Sequence, residues 1–171
     1  IRGEGPWLVL SHALATDLSL WDAQMPVLAA RFRVLRYDIR GHGGSDVPAG
    51  PYDFGQLTAD LLALFDALGI QQAHFVGISL GGMIGQHLAL AAPERLNRLV
   101  LASTTHRYPP EMAQVFEERA RSVLAQGLEP LGEPTLARWF TLPYRQSRPE
   151  AMAQSGALIR ATPATGYAGC C

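Results

Sequence analysis

A chain of 171 residues with 48% hydrophobic content and a formal net charge of −1 can bury one core and has no general attraction to nucleic acid. All fourteen basic residues are arginine, which excludes Schiff-base lysine chemistry and a P-loop lysine for this stretch. The two cysteines, Cys170 and Cys171, are adjacent, which suits buried thiols in a reducing cytoplasm better than a stapling disulfide.

In chain order, Trp7-Leu8-Val9-Leu10-Ser11 is a continuous apolar run of strand length, as a strand buried on both faces should be. A polar loop through Thr16-Asp17 precedes a short helix containing Trp21 and Val27 to Ala30. Phe32 to Asp38 reads as a second strand and leads into the glycine-rich loop Arg40-Gly41-His42-Gly43-Gly44-Ser45-Asp46. That loop lacks Gly-x-Gly-x-x-Gly spacing and opens no helix, so a tight structural turn is expected rather than a phosphate cradle. Asp53 begins a helix with Gln56 placed for a capping box, Leu57, Leu61, Leu64, Phe65 and Leu68 as its apolar stripe, and Gly69 at its end. A third strand, Ala73 to Ile78, runs into a helix from Leu80 to Ala92, stopped by Pro93, and Leu96 to Ser103 reads as another buried strand.

After Thr104 the texture changes. Prolines cluster, amphipathic segments appear at Glu111 to Ala125 and Thr135 to Phe140, and residues 163–167 read as the start of a further helix. Alternating strands and helices predict a mostly parallel sheet covered on both faces, in a core of residues 1–104. Residues 105–171 are expected to form a helical cap. The chain starts at Ile1 and stops at Cys171 beside apparent elements, so it reads as part of a longer protein, with later core strands outside it. No apolar run approaches membrane-spanning length and none reads as a signal peptide, so a cytoplasmic protein without a membrane partner is expected.

Ser79 is the most informative residue. It lies in Gly77-Ile78-Ser79-Leu80-Gly81, between an apolar strand and a helix. A serine hydroxyl becomes a useful nucleophile when a sharp strand-to-helix turn thrusts it out of the sheet, and that turn needs glycine two residues to either side. A tetrahedral intermediate then needs two preorganised N–H donors. The Leu80 backbone N–H should be one, and the loop Ser11-His12-Ala13-Leu14 should supply the other, with Ala13 the choice. The five histidines show no metal-ligand spacing and no cofactor is implied. His42, His74 and His87 read as packing or loop residues, and His106 follows a strand end where it could line a pocket. A serine nucleophile also needs a base and an orienting acid, in the order Ser, Asp or Glu, His for this topology. The segment Ala102-Ser103-Thr104-Thr105 carries no carboxylate, so acid and histidine are expected beyond residue 171, leaving this chain alone inactive.

Taken together, these segments resemble the α/β-hydrolase fold, and more narrowly the 3-oxoadipate enol-lactonases of the β-ketoadipate pathway of aromatic degradation. The resemblance is carried by Leu10-Ser11-His12-Ala13-Leu14, Trp21-Asp22-Ala23-Gln24, Tyr37 to Ser45, and Gly77 to Met83. It continues in Arg138-Trp139-Phe140-Thr141, Ala161-Thr162-Pro163 and Gly166 to Cys171. The sequence departs from that family at His12-Ala13, where Asn-Ser is expected, and at Ala15, where glycine is expected. The resemblance implies attack of Ser79 on a small-molecule lactone and an oxyanion held by Ala13 and Leu80. It also implies a substrate carboxylate met by Arg138 or Arg145 beside Trp139. A solvated surface role for those arginines stands equally open. The alternatives are a related esterase or carbon–carbon bond hydrolase, and a ligand-binding pseudo-hydrolase without turnover.

Overall fold

The computed structural model describes all of residues 1–171. Four strands form one parallel sheet in the order β2-β1-β3-β4: β1 Trp7–Ser11, β2 Arg33–Arg36, β3 Ala73–Ile78 and β4 Leu96–Ala102. Between them lie a 3-10 segment Leu18–Gln24, α1 Met25–Leu28, α2 Phe54–Ala67 and α3 Leu80–Ala91. The remaining helices are α4 Met112–Gln126, α5 Gly132–Trp139, α6 Leu142–Ser147, α7 Pro149–Ala161 and α8 Ala164–Gly169. No helix is long and apolar enough to cross a membrane.

Side chains alternate across the sheet and sort into two layers. Val9, Leu35 and Phe75 pack against Leu57, Leu61 and Phe65 of α2 and Ile84 and Leu88 of α3. Leu8, Leu10 and Val34 face the other way, onto Met25, Trp21 and Leu28. The register fits this sorting, since Val9 stands opposite both Leu35 and Phe75, and Leu10 opposite Val76. A third cluster joins the helices after β4 to the core: Val123, Leu128, Leu136, Ile159 and Tyr167 surround Ala15. Helix α8 also docks on the core directly, with the Tyr52 N–H donating to the Gly169 carbonyl at 2.7 Å and Gly166 pressed against the Gly41 backbone.

Several expected elements appear with shifted bounds. The capping box at Asp53 and Gln56 forms, and Gly69 follows the α2 terminus at φ 67°. The second strand ends at Arg36, because Tyr37 and Asp38 turn away to bind side chain and loop: the Tyr37 and Ser11 hydroxyls pair at 2.9 Å, and Asp38 accepts the Leu18 and Gly44 N–H groups. The expected helix around Trp21 splits into a 3-10 segment and one α turn, with Pro26 placed in the first turn of α1. Helices α6 and α7 went unassigned in the sequence, where Pro143 and Pro149 stood only as members of the proline cluster. Each instead sits at a helix start, where its missing N–H costs nothing.

One expectation is corrected. Leu96 to Ser103 was expected to be a buried strand, but β4 is an edge, and Val100 and Leu101 are 52% and 42% exposed. An apolar run reports hydrophobicity and not neighbours, and nothing pairs with the outer side of β4 in this chain. Such an edge favours self-association; Val100→Lys should lower light scattering of the purified chain at equal concentration, and unchanged scattering would count against it. Phe75 is fully buried at the centre of the larger layer, so Phe75→Ala should cost about 3–5 kcal/mol in a denaturant melt.

Candidate functional site at the Ser79 turn

β3 ends at Ile78 and α3 begins at Leu80, leaving Ser79 alone to make the change of direction. It does so at φ 52° and ψ −114°, a conformation that costs a non-glycine residue on the order of 1–3 kcal/mol. The flanking glycines make it sterically feasible. A Cβ on Gly77 would collide with the Gly81 carbonyl, and a Cβ on Gly81 with the carbonyls of Ser11 and His12. The turn is then pinned: the Ser79 N–H donates to the Ala102 carbonyl at 3.0 Å, and the Thr104 hydroxyl donates to the Ser79 carbonyl at 2.8 Å. Thr104 therefore has a role in the very segment that lacks a carboxylate. The Ser79 side chain makes no capping hydrogen bond to α3, so its hydroxyl is not consumed by the helix it precedes.

Two backbone donors stand beside it. Leu80 is the first residue of α3, so its N–H has no intrahelical acceptor. The loop after β1 lies against the same helix start, because β1 pairs with β3 out to Ser11 opposite Gly77, and the Gly81 N–H donates to the His12 carbonyl at 3.1 Å. Ala13 follows. Its carbonyl accepts from the Thr16 N–H and hydroxyl, whereas its N–H donates to no backbone acceptor.

Two fully buried histidines hold this loop, and sequence reading gave neither of them this task. His12 Nε2 accepts the Ile39 N–H at 2.9 Å and His42 Nε2 the Ala15 N–H at 3.4 Å, which assigns the proton of each neutral ring to Nδ1. Burial lowers the pKa of both. For His42 burial, then the neighbouring His12, bring it to about 4, against smaller upward pulls from the Arg40 carbonyl, Asp38 and Asp17. For His12 burial outweighs its bond to the Ala13 carbonyl and the pull of Asp38 and Asp17.

The other expected residues are dispersed. Trp139 and Arg138 lie on α5 with exposed side chains, and Arg138 forms no ion pair. Arg145 on α6 is engaged by Glu133 at 3.2 Å, while its Nε is buried without a partner. His106 is exposed, His87 stacks on Phe54 at 4.8 Å, and His74 meets the edge of Phe32. The half-buried thiols of Cys170 and Cys171 are pushed up to about 12 and about 11, chiefly by burial. They are poor nucleophiles as they stand. One further arginine has no sequence signal at all. Arg119, one turn before the cap-core residue Val123 on α4, bears on Tyr167, whose phenol burial pushes up and whose charged form Arg119 and Arg138 favour.

The model of the family described as alpha/beta hydrolase fold matches residues 6–167. The chain belongs to that family. Among hydrolases of the family, 3-oxoadipate enol-lactonase 2 of Acinetobacter baylyi is 40% identical over 170 residues, 99% of this chain and 63% of the relative. A carbamate hydrolase by name, RutD of Azorhizobium caulinodans, is 37% identical over 129 residues, 75% of this chain and 49% of that protein. The crystal structure of the enol-lactonase from Burkholderia xenovorans LB400 superposes with a TM-score of 0.93 at 42% identity, covering 98% of this chain and 65% of that one. The chain thus spans less than two thirds of the length of these hydrolases.

Two outcomes follow from the site. Gly77→Ala should lower the melting free energy by about 1–3 kcal/mol, since neither neighbour of the new methyl is a flexible side chain. Because folding depresses both imidazole pKa values, their contribution to stability is complete above about pH 6.5 and is lost as pH falls below it, for His42 down to about 4. Thermal melts of the wild type should therefore weaken across that window, and His12→Asn/His42→Asn should show a flatter slope there.

Proposed function

We propose that Ser79 is the nucleophile of a serine hydrolase that opens 3-oxoadipate enol-lactone to 3-oxoadipate. The observation that carries this reading is the strained Ser79 turn, whose hydroxyl is not used in capping and which stands beside the Leu80 and Ala13 N–H groups. A backbone held off its preferred conformation in a closely packed glycine setting is a structural cost that an ordinary helix start avoids. Similarity to enol-lactonases across nearly the whole chain supports the choice of substrate.

In this mechanism the Ser79 oxygen bonds to the lactone carbonyl carbon while its proton passes to a general base. The carbonyl oxygen becomes an oxyanion, held by the N–H groups of Ala13 and Leu80, a stabilisation of a few kcal/mol. Collapse of the tetrahedral species breaks the ring C–O bond and expels an enolate, which takes the proton and ketonises. Water then attacks the acyl-enzyme, releasing the new carboxylate and restoring the serine. The base and its acid partner come from the part of the enzyme outside residues 1–171. Arg138 and Arg145, beside Trp139, are the cap arginines offered to the substrate's own carboxylate, Arg145 once its pairing with Glu133 opens. No cofactor enters the scheme.

A second reading, a hydrolase of another acyl compound, draws on the similarity to the carbamate hydrolase RutD. Steady-state assays of the whole protein decide between them. Enol-lactone should be consumed with a higher kcat/KM than simple carbamates or aryl esters, and Ser79→Ala should cut kcat by about 10⁴- to 10⁶-fold. Retained turnover in Ser79→Ala would remove the nucleophile assignment. Residues 1–171 alone should show no turnover above background.

A further inference from the structure

The loops after β1 and β2 are strapped together by a crossed pair of histidines. His12, on the first loop, accepts a backbone N–H from the second at Ile39, 2.9 Å away. His42, on the second loop, accepts a backbone N–H from the first at Ala15, 3.4 Å away. Each ring also binds its own loop: His12 Nδ1 donates to the Ala13 carbonyl at 2.8 Å, with the Thr16 hydroxyl at 3.3 Å, and His42 Nδ1 donates to the Arg40 carbonyl at 3.2 Å. The ring centroids are 5.3 Å apart.

The consequence falls on Ala13. Its N–H belongs to a planar trans peptide whose carbonyl, that of His12, is fixed by the Gly81 N–H. Its own carbonyl is fixed by the His12 ring and by Thr16. Both peptide planes around Ala13 are therefore held, the one that carries its N–H by Gly81 and the next by the His12 ring and Thr16. Two residues on, Ala15 sits at φ 63°, a left-handed conformation uncommon outside glycine, with its N–H on His42.

We propose that His12 and His42 are positioning residues that act as one neutral clamp and hold the loop that presents the Ala13 N–H as an oxyanion donor beside Ser79. This rests on Ala13 serving as an oxyanion donor. The clamp works only with neutral rings, because an imidazolium has no acceptor nitrogen to offer the Ile39 and Ala15 amides. The charged groups nearest the pair do not rescue a charged ring. Asp38 is occupied by the Leu18 and Gly44 N–H groups, and Asp17 by the Ser19 N–H at the head of the 3-10 segment. Arg40 meets His42 through its carbonyl, while its guanidinium is paired with Asp60.

Two measurements on the whole protein test the clamp. In kinetics, His12→Phe should lower kcat by about 10-fold or more with KM changed less than about 2-fold, while His12→Gln, which keeps an acceptor near the Nε2 position, should recover most of it. Wild-type kcat in His12→Phe, or equal losses in both variants, would overturn the proposal. In NMR of the unsubstituted protein, which does not depend on a variant folding or on turnover, both rings should be Nδ1–H tautomers at pH 7. On acidification they should titrate in step with the Ala13, Ile39 and Ala15 amides. Rings that titrate near the ordinary histidine value without moving those amides would refute it. Failure of Ser79→Ala to reduce turnover would remove the nucleophile assignment and leave the NMR test of the clamp intact.

Discussion

The site depends first on a steric constraint, the closeness of three backbone segments at the end of β3. Gly77 touches the Gly81 carbonyl, and Gly81 touches the carbonyls of Ser11 and His12, so no side chain fits at either glycine. That contact forces the change from strand to helix into one residue. Ser79 takes up the cost as a positive φ, and the bonds to Ala102 and from Thr104 keep it there. The same closeness brings the loop after β1 to the first turn of α3, so the nucleophile candidate and both amide donors arise from one packing event.

Around this turn, stability and chemistry draw on different parts of the chain. The sheet layer against α2 and α3 is apolar and densely buried, and it makes the strand ends a rigid platform. The loops above the platform are held by polar links instead: the two imidazoles, Asp38 with its two backbone N–H donors and the Ser45 hydroxyl on its carbonyl, and the Ser11–Tyr37 pair. Burial of such groups is tolerable because each finds a partner. The helices after β4 meet these loops through Ala15 and Leu14, which pack in the Val123–Tyr167 cluster. Through that cluster the helices after β4 and the loop after β1 share one set of contacts.

Much of this was legible in the sequence where the determining contacts are local. The Ser79 turn, the Asp53–Gln56 capping box and the Gly69 terminus each depend on residues within four positions of one another. The His12–His42 strap was not legible, since its bonds join residues 27 apart whose meeting requires β1 and β2 to pair first. Helices α6 and α7 were hidden by prolines that serve as starts. An uncovered sheet edge was expected from the later strands lying outside the chain, but that β4 is that edge was hidden, because an edge strand and a central one have the same apolar pattern until their neighbours are known. Arg119 carried no pattern, and only the packing of α4 on α8 brings it to Tyr167.

The central claim is that the Ser79 hydroxyl is presented to the substrate site as a nucleophile, and covalent capture tests it most directly. Treatment of the whole protein with a fluorophosphonate, followed by peptide mass spectrometry, should place a single adduct on Ser79, with loss of labelling on prior denaturation. An unlabelled Ser79 in active protein, or an adduct confined to another residue, would contradict the account.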